Sequence, residues 1–189
     1  MAFECTQGKQ TRREAAGGKS GGHPDGPVVS VRSMNPVRRA VPEDAEEVLR
    51  LRQVMLDAVH PGSPSDWQSA SLPALRARLA APDGDFAAYV VDHPERPGAL
   101  AALVVGTLEY RIGGPDRPPS GVIGYVFSVA TDPDARRRGY ARACMDGLLE
   151  WFRGRGVERV ILTASPDAEP LYASMGFTRD QAPSMRLHL

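Results

Sequence analysis

The chain has little sulfur, few histidines and no surplus of either charge. Its 189 residues include two cysteines, Cys5 and Cys144, widely separated in sequence. That excludes the disulfide framework on which small secreted domains depend. Cys144 falls on an apolar helical face and reads as a buried thiol filling space. Four histidines are present, and none stands at metal-site spacing from a cysteine, aspartate or glutamate, so no metal centre is expected. Lys plus Arg number 23 and Asp plus Glu number 23, which removes any general attraction to nucleic acid or to an anionic membrane. Aromatics make up 6% of the chain and are not interleaved with basic residues, a second argument against a nucleic-acid partner. No apolar run reaches the roughly 20 residues of a membrane span. The N-terminal stretch has no apolar core of the kind a secretory signal needs, and no hydrophobic run follows Arg12-Arg13. A cytoplasmic location is the expectation.

What is present suffices for one folded domain. Hydrophobic residues make up 42% of the chain, a globular proportion. Residues 1–34 stand apart, with glycines at 8, 17, 18, 21, 22 and 26 and no hydrophobic period. This stretch is expected to be a flexible N-terminal extension, leaving 35–189 as the folded domain. Val37 to Val41 reads as a first strand, and Pro42-Glu43-Asp44 opens a helix with acidic residues at its positive end. Val48, Leu51, Met55 and Val59 are its expected buried face. Ser71 to Ala80 reads as a second helix with Leu72, Leu75 and Leu79 inward. Phe86 to Val91, Leu100 to Ile112 and Gly124 to Ala130 read as strands, with Gly106 marking a bulge or a close approach. Val160 to Ala164 is a further strand and Ala168 to Met175 a short helix stopped by Gly176. Phe177 to Arg179 and Met185 to Leu189 are expected to close the chain as a hairpin. Successive strands feeding a strand–helix–strand crossover predict an α/β fold with a mixed sheet.

The segment Tyr125 to Phe152 organises the rest. An extended apolar run is followed by a turn at Thr131 to Asp134 and then by Arg136-Arg137-Arg138-Gly139. Ala141, Cys144, Met145, Leu148, Leu149 and Phe152 then recur at helical spacing. A helix start leaves backbone N–H groups unpaired, and with the helix dipole they form an anion site. Gly139 admits close approach of a ligand, and Ala141 keeps the next contact small. The loop has no Lys followed by Ser or Thr and does not match GxGxxG, so neither a triphosphatase phosphate loop nor a Rossmann site is indicated.

The loop reads Arg136-Arg137-Arg138-Gly139-Tyr140-Ala141, and a second block reads Pro170-Leu171-Tyr172-Ala173-Ser174-Met175-Gly176-Phe177. In this order, with a strand between them, the two resemble the acetyl-CoA-binding core of the GNAT N-acetyltransferase superfamily, small-molecule type. The resemblance implies a mixed central sheet with a splayed parallel strand pair, flanked by helices, and acetyl-CoA as donor. It implies that Val129 and Thr131 offer backbone groups to the pantetheine arm. Arg136, Arg137, Arg138, Gly139, Tyr140 and Ala141 would meet the pyrophosphate. Ser165 stands where many members carry Asn beside the cofactor. The implied partner is a small-molecule amine, and a homodimer is among the assemblies the resemblance allows.

Acetyl transfer needs a neutral amine, a stabilised carbonyl oxygen and a proton for the departing thiolate. By family position Tyr172 is the expected acid, with an ordinary pKa near 10. Glu109, in the long strand before the central one, is the expected base, directly or through water. Trp67, His60 and Tyr125 are expected on the acceptor side. Two other readings stay open at this level: a non-catalytic acyl-CoA-binding sensor, and acetylation of a protein N-terminus.

Overall fold

A computed structural model describes residues 37–62, 64–114 and 118–180, together with Met185 and Leu187. The expected extension over 1–34, Cys5 and most of the final strand expected over 185–189 lie outside the described residues. In chain order the elements are β1 (Val37–Arg39), α1 (Ala45–Val59), α2 (Trp67–Leu79), β2 (Phe86–Asp92), β3 (Leu100–Tyr110) and β4 (Val122–Thr131). They are followed by α3 (Tyr140–Gly154), β5 (Val160–Leu162) and α4 (Glu169–Ser174). The five strands form one sheet in the order β1-β2-β3-β4-β5. The first three pairings are antiparallel and β4 pairs with β5 in parallel, so the mixed sheet expected from the sequence is present.

Alternation along the strands divides the interior into two layers. On β3, Ala102, Val104 and Leu108 join the cluster under α3, while Leu103 and Val105 join the cluster under α1 and α2. α3 contributes Met145, Leu148 and Phe152, all fully buried. Each such side chain removed from water contributes about 1.5–3 kcal/mol. α1 contributes Val48 and Leu51 to the opposite layer. Its last turn projects past the sheet, so Val59, expected inside, is 51% exposed.

The helix α3 packs its side chains directly over glycines of the sheet. A Cβ at Gly106 would come within 2.8 Å of Leu148 and Phe152, and one at Gly124 within 2.9 Å of Phe152. The close approach, rather than a bulge, therefore explains Gly106. The irregularity in β3 pairing lies between Leu103 and Val105.

Boundaries depart from expectation at strand ends. β1 stops at Arg39, β3 at Tyr110 and β5 at Leu162, whereas the apolar runs continue. Ile112 shows why: it is 91% exposed, past the edge of the sheet that would bury it. α2 starts earlier than expected, at Trp67. Phe177 to Arg179 is not a strand; Phe177 instead turns back on Tyr172, ring to ring at 5.9 Å. No helix among the described residues is long and apolar enough to cross a membrane.

Gly124→Val is expected to lower the unfolding free energy by about 1–3 kcal/mol in urea titration, because Phe152 has nowhere to go. Adding Phe152→Leu should return part of that loss. A single variant with an unchanged midpoint would show that α3 does not rest on this glycine.

Candidate active site

β4 is paired along β3 but meets β5 at three positions only, Gly124↔Val160, Tyr125↔Ile161 and Val126↔Leu162. β5 ends there, and β4 continues to Thr131. The edge of β4 from Phe127 onward has no strand beside it among the described residues. Val129 and Thr131 lie on this open edge. Within it, Ser128 takes φ 55, in the left-handed region. The register steps from Val105↔Phe127 to Leu103↔Ala130, so two residues of β4 oppose one of β3. This bulge bends the strand and shifts its alternation by one. Val126 and Val129 consequently both face α3, while Phe127 and Ala130 face α1 and α2.

The chain beyond β4 is held by a buried carboxylate. Asp132 is 4% exposed, its N–H donates to the carbonyl of Ala101 at 2.8 Å, and its carbonyl accepts from the N–H of Ala135 at 2.9 Å. Arg50 Nη1 donates to Asp132 Oδ2 at 2.8 Å, and Arg96 Nη2 reaches the same oxygen at 2.7 Å. Arg50 also clasps Glu47, whose Oε2 accepts from the N–H of Leu100 at 2.8 Å. Burial alone would raise the Asp132 carboxyl, but the hydrogen bonds from Arg96 and Arg50 outweigh it and hold the group below its ordinary range. The knot ties α1, the start of β3 and the loop after β4 together.

From that anchor the loop curls into α3. Arg137 (φ 64) and Gly139 (φ 80) both take left-handed backbone, and Gly139 is the N-cap of α3 with no side chain capping the helix. The first N–H groups of α3 are thus left for a ligand. Arg136, Arg137 and Arg138 are exposed. Arg138 donates to the carbonyl of Asp134 at 3.3 Å and lies 3.7 Å from Glu95. Arg136 and Arg137 have no acidic partner among the described residues. Tyr140 and Ala141 form the first turn, both half-buried.

Tyr172, on α4, joins the buried cluster that holds Val126, Ala135 and Cys144, with Val129 and Tyr140 packed against it. It is 6% exposed, and burial pushes its phenol above the usual value. Among the described residues its hydroxyl makes no hydrogen bond and no fully buried side-chain polar atom lacks a partner, so the hydroxyl opens to accessible space. Ser165 lies in the loop after β5, its carbonyl accepting from the N–H groups of Ala168 and Glu169 at 3.0 and 3.1 Å. Cys144 is fully buried, and desolvation pushes its thiol up to about 12, which fits the expected filler role.

On the opposite face a cavity of about 270 Å³ opens between α1, α2 and the sheet, lined among others by Arg52, Trp67, Arg78, Phe86, Phe127 and Ser128. Trp67 is thus on the cavity wall, its Nε1 donating to Gln53 Oε1 at 3.0 Å. His60 is exposed and outside the lining. Tyr125 stacks on Phe127 at 5.9 Å, one step removed from the cavity. Glu109 is placed farther along the same sheet face, opposite Ile123, with its Oε2 accepting from Arg111 Nη2 at 2.5 Å. Strand rise puts it roughly 13 Å from the cavity residue Val105.

Several groups escaped the sequence reading. Ser128 and Asp132 look like ordinary strand-end and turn residues in sequence. Arg52 carried a weak signal, as a polar residue four positions after Val48 on the inward face of α1. No histidine had been associated with carboxylates, yet the fold brings His93, Asp132 and Asp134 within 4.8 Å of one another. Guanidinium groups of Arg50 and Arg96 already hold Asp132, and His93 Nε2 lies 2.9 Å from Asp134 Oδ1, so this cluster works as an ion-pair knot.

Comparison with known proteins places the chain. The model of the Acetyltransferase (GNAT) family matches residues 52–177. A mycothiol acetyltransferase of Cellulomonas flavigena is 32% identical over 146 residues, covering 76% of this chain and 40% of the relative. The chain spans about two-fifths of the length of the mycothiol acetyltransferases it matches. A GCN5-related N-acetyltransferase of Ralstonia eutropha superposes with a TM-score of 0.65 at 27% identity, covering 80% of this chain and 97% of the other. A predicted acetyltransferase of Clostridium acetobutylicum, solved with acetyl-CoA, gives a TM-score of 0.66 at 20% identity over 80% and 94% of the two chains.

Asp132 generates a pH-dependent prediction. Its folded carboxyl titrates below the ordinary value of 3.8, so its stabilisation is complete above that value and is lost as pH falls through the folded one. Asp132→Asn should cost about 1–3 kcal/mol near neutrality and flatten the acid limb of the stability curve. An acid limb as steep as that of the unaltered protein would assign the effect to other carboxylates.

Proposed function

We propose that this chain, which belongs to the acetyltransferase (GNAT) family, is an N-acetyltransferase that moves an acetyl group from acetyl-CoA to a primary amine of a small molecule. The observation that carries the reading is the edge of β4, unpaired among the described residues, leading through the Asp132-anchored loop to the uncapped, arginine-flanked start of α3. An extended, amide-bearing arm finds free strand backbone at Val129 and Thr131. A pyrophosphate finds helix N–H groups at Gly139, Tyr140 and Ala141, with the charge of Arg136, Arg137 and Arg138 around them. Ser165 offers a hydroxyl on the β5 side. The donor set therefore fits coenzyme A. Bound acetyl-CoA supplies the activated thioester carbonyl.

The remaining chemistry falls to the chain. Tyr172 is protonated at neutral pH by its ordinary pKa, which burial raises further, and its unpartnered hydroxyl is the proton donor for the departing thiolate. Glu109 is the proposed base, working through a chain of waters because it lies outside the cavity lining. Support for a small acceptor comes from the size of the cavity and from the relatives, whose names specify mycothiol and, in rice, glucosamine 6-phosphate.

Calorimetric titration with acetyl-CoA tests the donor site. A Cβ at Gly139 meets nothing within 4 Å, so Gly139→Glu adds no clash inside the protein and costs only the left-handed strain of about 1–2 kcal/mol. Its acetyl-CoA affinity should fall by at least about tenfold, through a carboxylate placed at an anion site. Equal affinity in the two proteins would remove the donor from this helix start.

Turnover tests the acid and base. Tyr172→Phe should lower kcat by about 10²–10⁴-fold with acetyl-CoA binding retained. Glu109→Gln should lower kcat and alter the pH–rate profile. An unchanged kcat, or an unchanged profile, would strike the respective residue from the reaction.

A further inference from the structure

We infer that the acceptor carries an oxyanion, a carboxylate or a phosphate, on a compact apolar body, and that Arg52 and Arg78 bind it in the cavity between α1, α2 and the sheet. The amine part of this inference rests on the acetyl-transfer reading; the anion part rests on the cavity alone.

Two pairs of arginines frame the argument. On α1, Arg50 is committed to Glu47 and Asp132, but Arg52, two residues on, has no carboxylate partner among the described residues. On α2, Arg76 lies 2.8 Å from Glu46, while Arg78, again two residues on, has none among them either. Arg52 and Arg78 are the two that line the cavity, and no aspartate or glutamate lines it with them. Each guanidinium lies over an aromatic ring, Arg52 over Trp67 at 5.7 Å and Arg78 over Phe86 at 5.6 Å. Stacking fixes the planar groups while leaving edge N–H donors for a forked contact. Two positive charges on low-dielectric walls with no counter-charge make a potential that draws an anion and repels a polycationic amine.

The position relates this charge to the chemistry. Arg52 Nη1 donates to the hydroxyl of Ser128, the bulged residue of β4 where the strand has already left β5. The anion site thus adjoins the opening between the parallel strands. Val48, Leu75 and Phe127 supply apolar wall. At about 270 Å³ the cavity lies below the usual range for drug-sized ligands, which confines the acceptor to a compact molecule.

Thiol release from acetyl-CoA, measured over matched amines, reads the inference. Leucine is compared with leucinamide, and phosphoethanolamine with ethanolamine, each rate corrected for the fraction of neutral amine. At least one anionic member should exceed its neutral counterpart in kcat/KM by about 10–100-fold, and the better pair identifies carboxylate or phosphate. Arg52→Gln and Arg78→Gln should each reduce that ratio by about tenfold or more. Arg78 lies on an exposed turn of α2, so its variant reports on charge even if Arg52→Gln disturbs Ser128. Neutral amines reacting as well as anionic ones, or a preference that survives both variants, would overturn the inference and leave acetyl transfer standing. If no amine is turned over, titration of leucine and phosphoethanolamine into the protein reads the cavity directly. Binding abolished by both substitutions supports the anion site even as the transferase reading fails, and no binding overturns it.

Discussion

The parallel pairing of β4 with β5 stops after Val126, and the rest of the site follows from that interruption. A sheet that continued to pair would have no free backbone to offer. Here the antiparallel side of β4 remains paired with β3 as far as Thr131 on either side of the bulge, which keeps the open edge tied to the sheet. The bulge at Ser128 adds local bend and turns two apolar residues, Val126 and Val129, to the same face. Strand geometry alone thus separates a gripped half of β4 from an exposed half.

An open edge needs anchoring, or it frays. Asp132 supplies the anchor immediately after the last strand residue, by its backbone to Ala101 and by its carboxylate to Arg50 and Arg96. Removing one partner from such a buried group leaves the others uncompensated, so the knot is more sensitive than an exposed ion pair. α3 is fixed independently, through Phe152 and Leu148 pressed onto Gly106 and Gly124. The left-handed turns at Arg137 and Gly139 join these two fixed points. The loop between them is therefore short of freedom without being tightly packed itself.

Much of this was legible in sequence, and what was not has physical causes. The strand–loop–helix unit shows because hydrophobic period changes from two to nearly four across Arg136 to Gly139, and because Gly at a helix start carries a definite conformational meaning. The mixed sheet follows from the length of the crossover. Strand ends were misplaced at Val41, Ile112 and Ala164, since an apolar run says nothing about where its neighbour strand stops. Phe177 was misread for a related reason: its aromatic partner, Tyr172, is close in sequence but presented by a helix. The bulge at Ser128 has no sequence mark because serine tolerates strand, turn and left-handed backbone alike. The knot around Asp132 joins residues from three separate elements, and only the folded chain puts Arg50, Arg96 and His93 beside the same turn.

The same bulge also connects the two faces. The groups proposed for the donor (Val129, the α3 start and Tyr172) belong to the α3 layer, while Phe127 and the arginine-lined cavity belong to the α1/α2 layer. A regular sheet would keep these layers on opposite faces with side chains strictly alternating. At Ser128 that alternation fails, and its hydroxyl meets Arg52 from the cavity side while its backbone lies on the open edge of β4. The proposed transfer between two ligands requires the sheet to be breached somewhere along β4. The one left-handed residue of that strand, next to the end of β5, is where the chain breaches it.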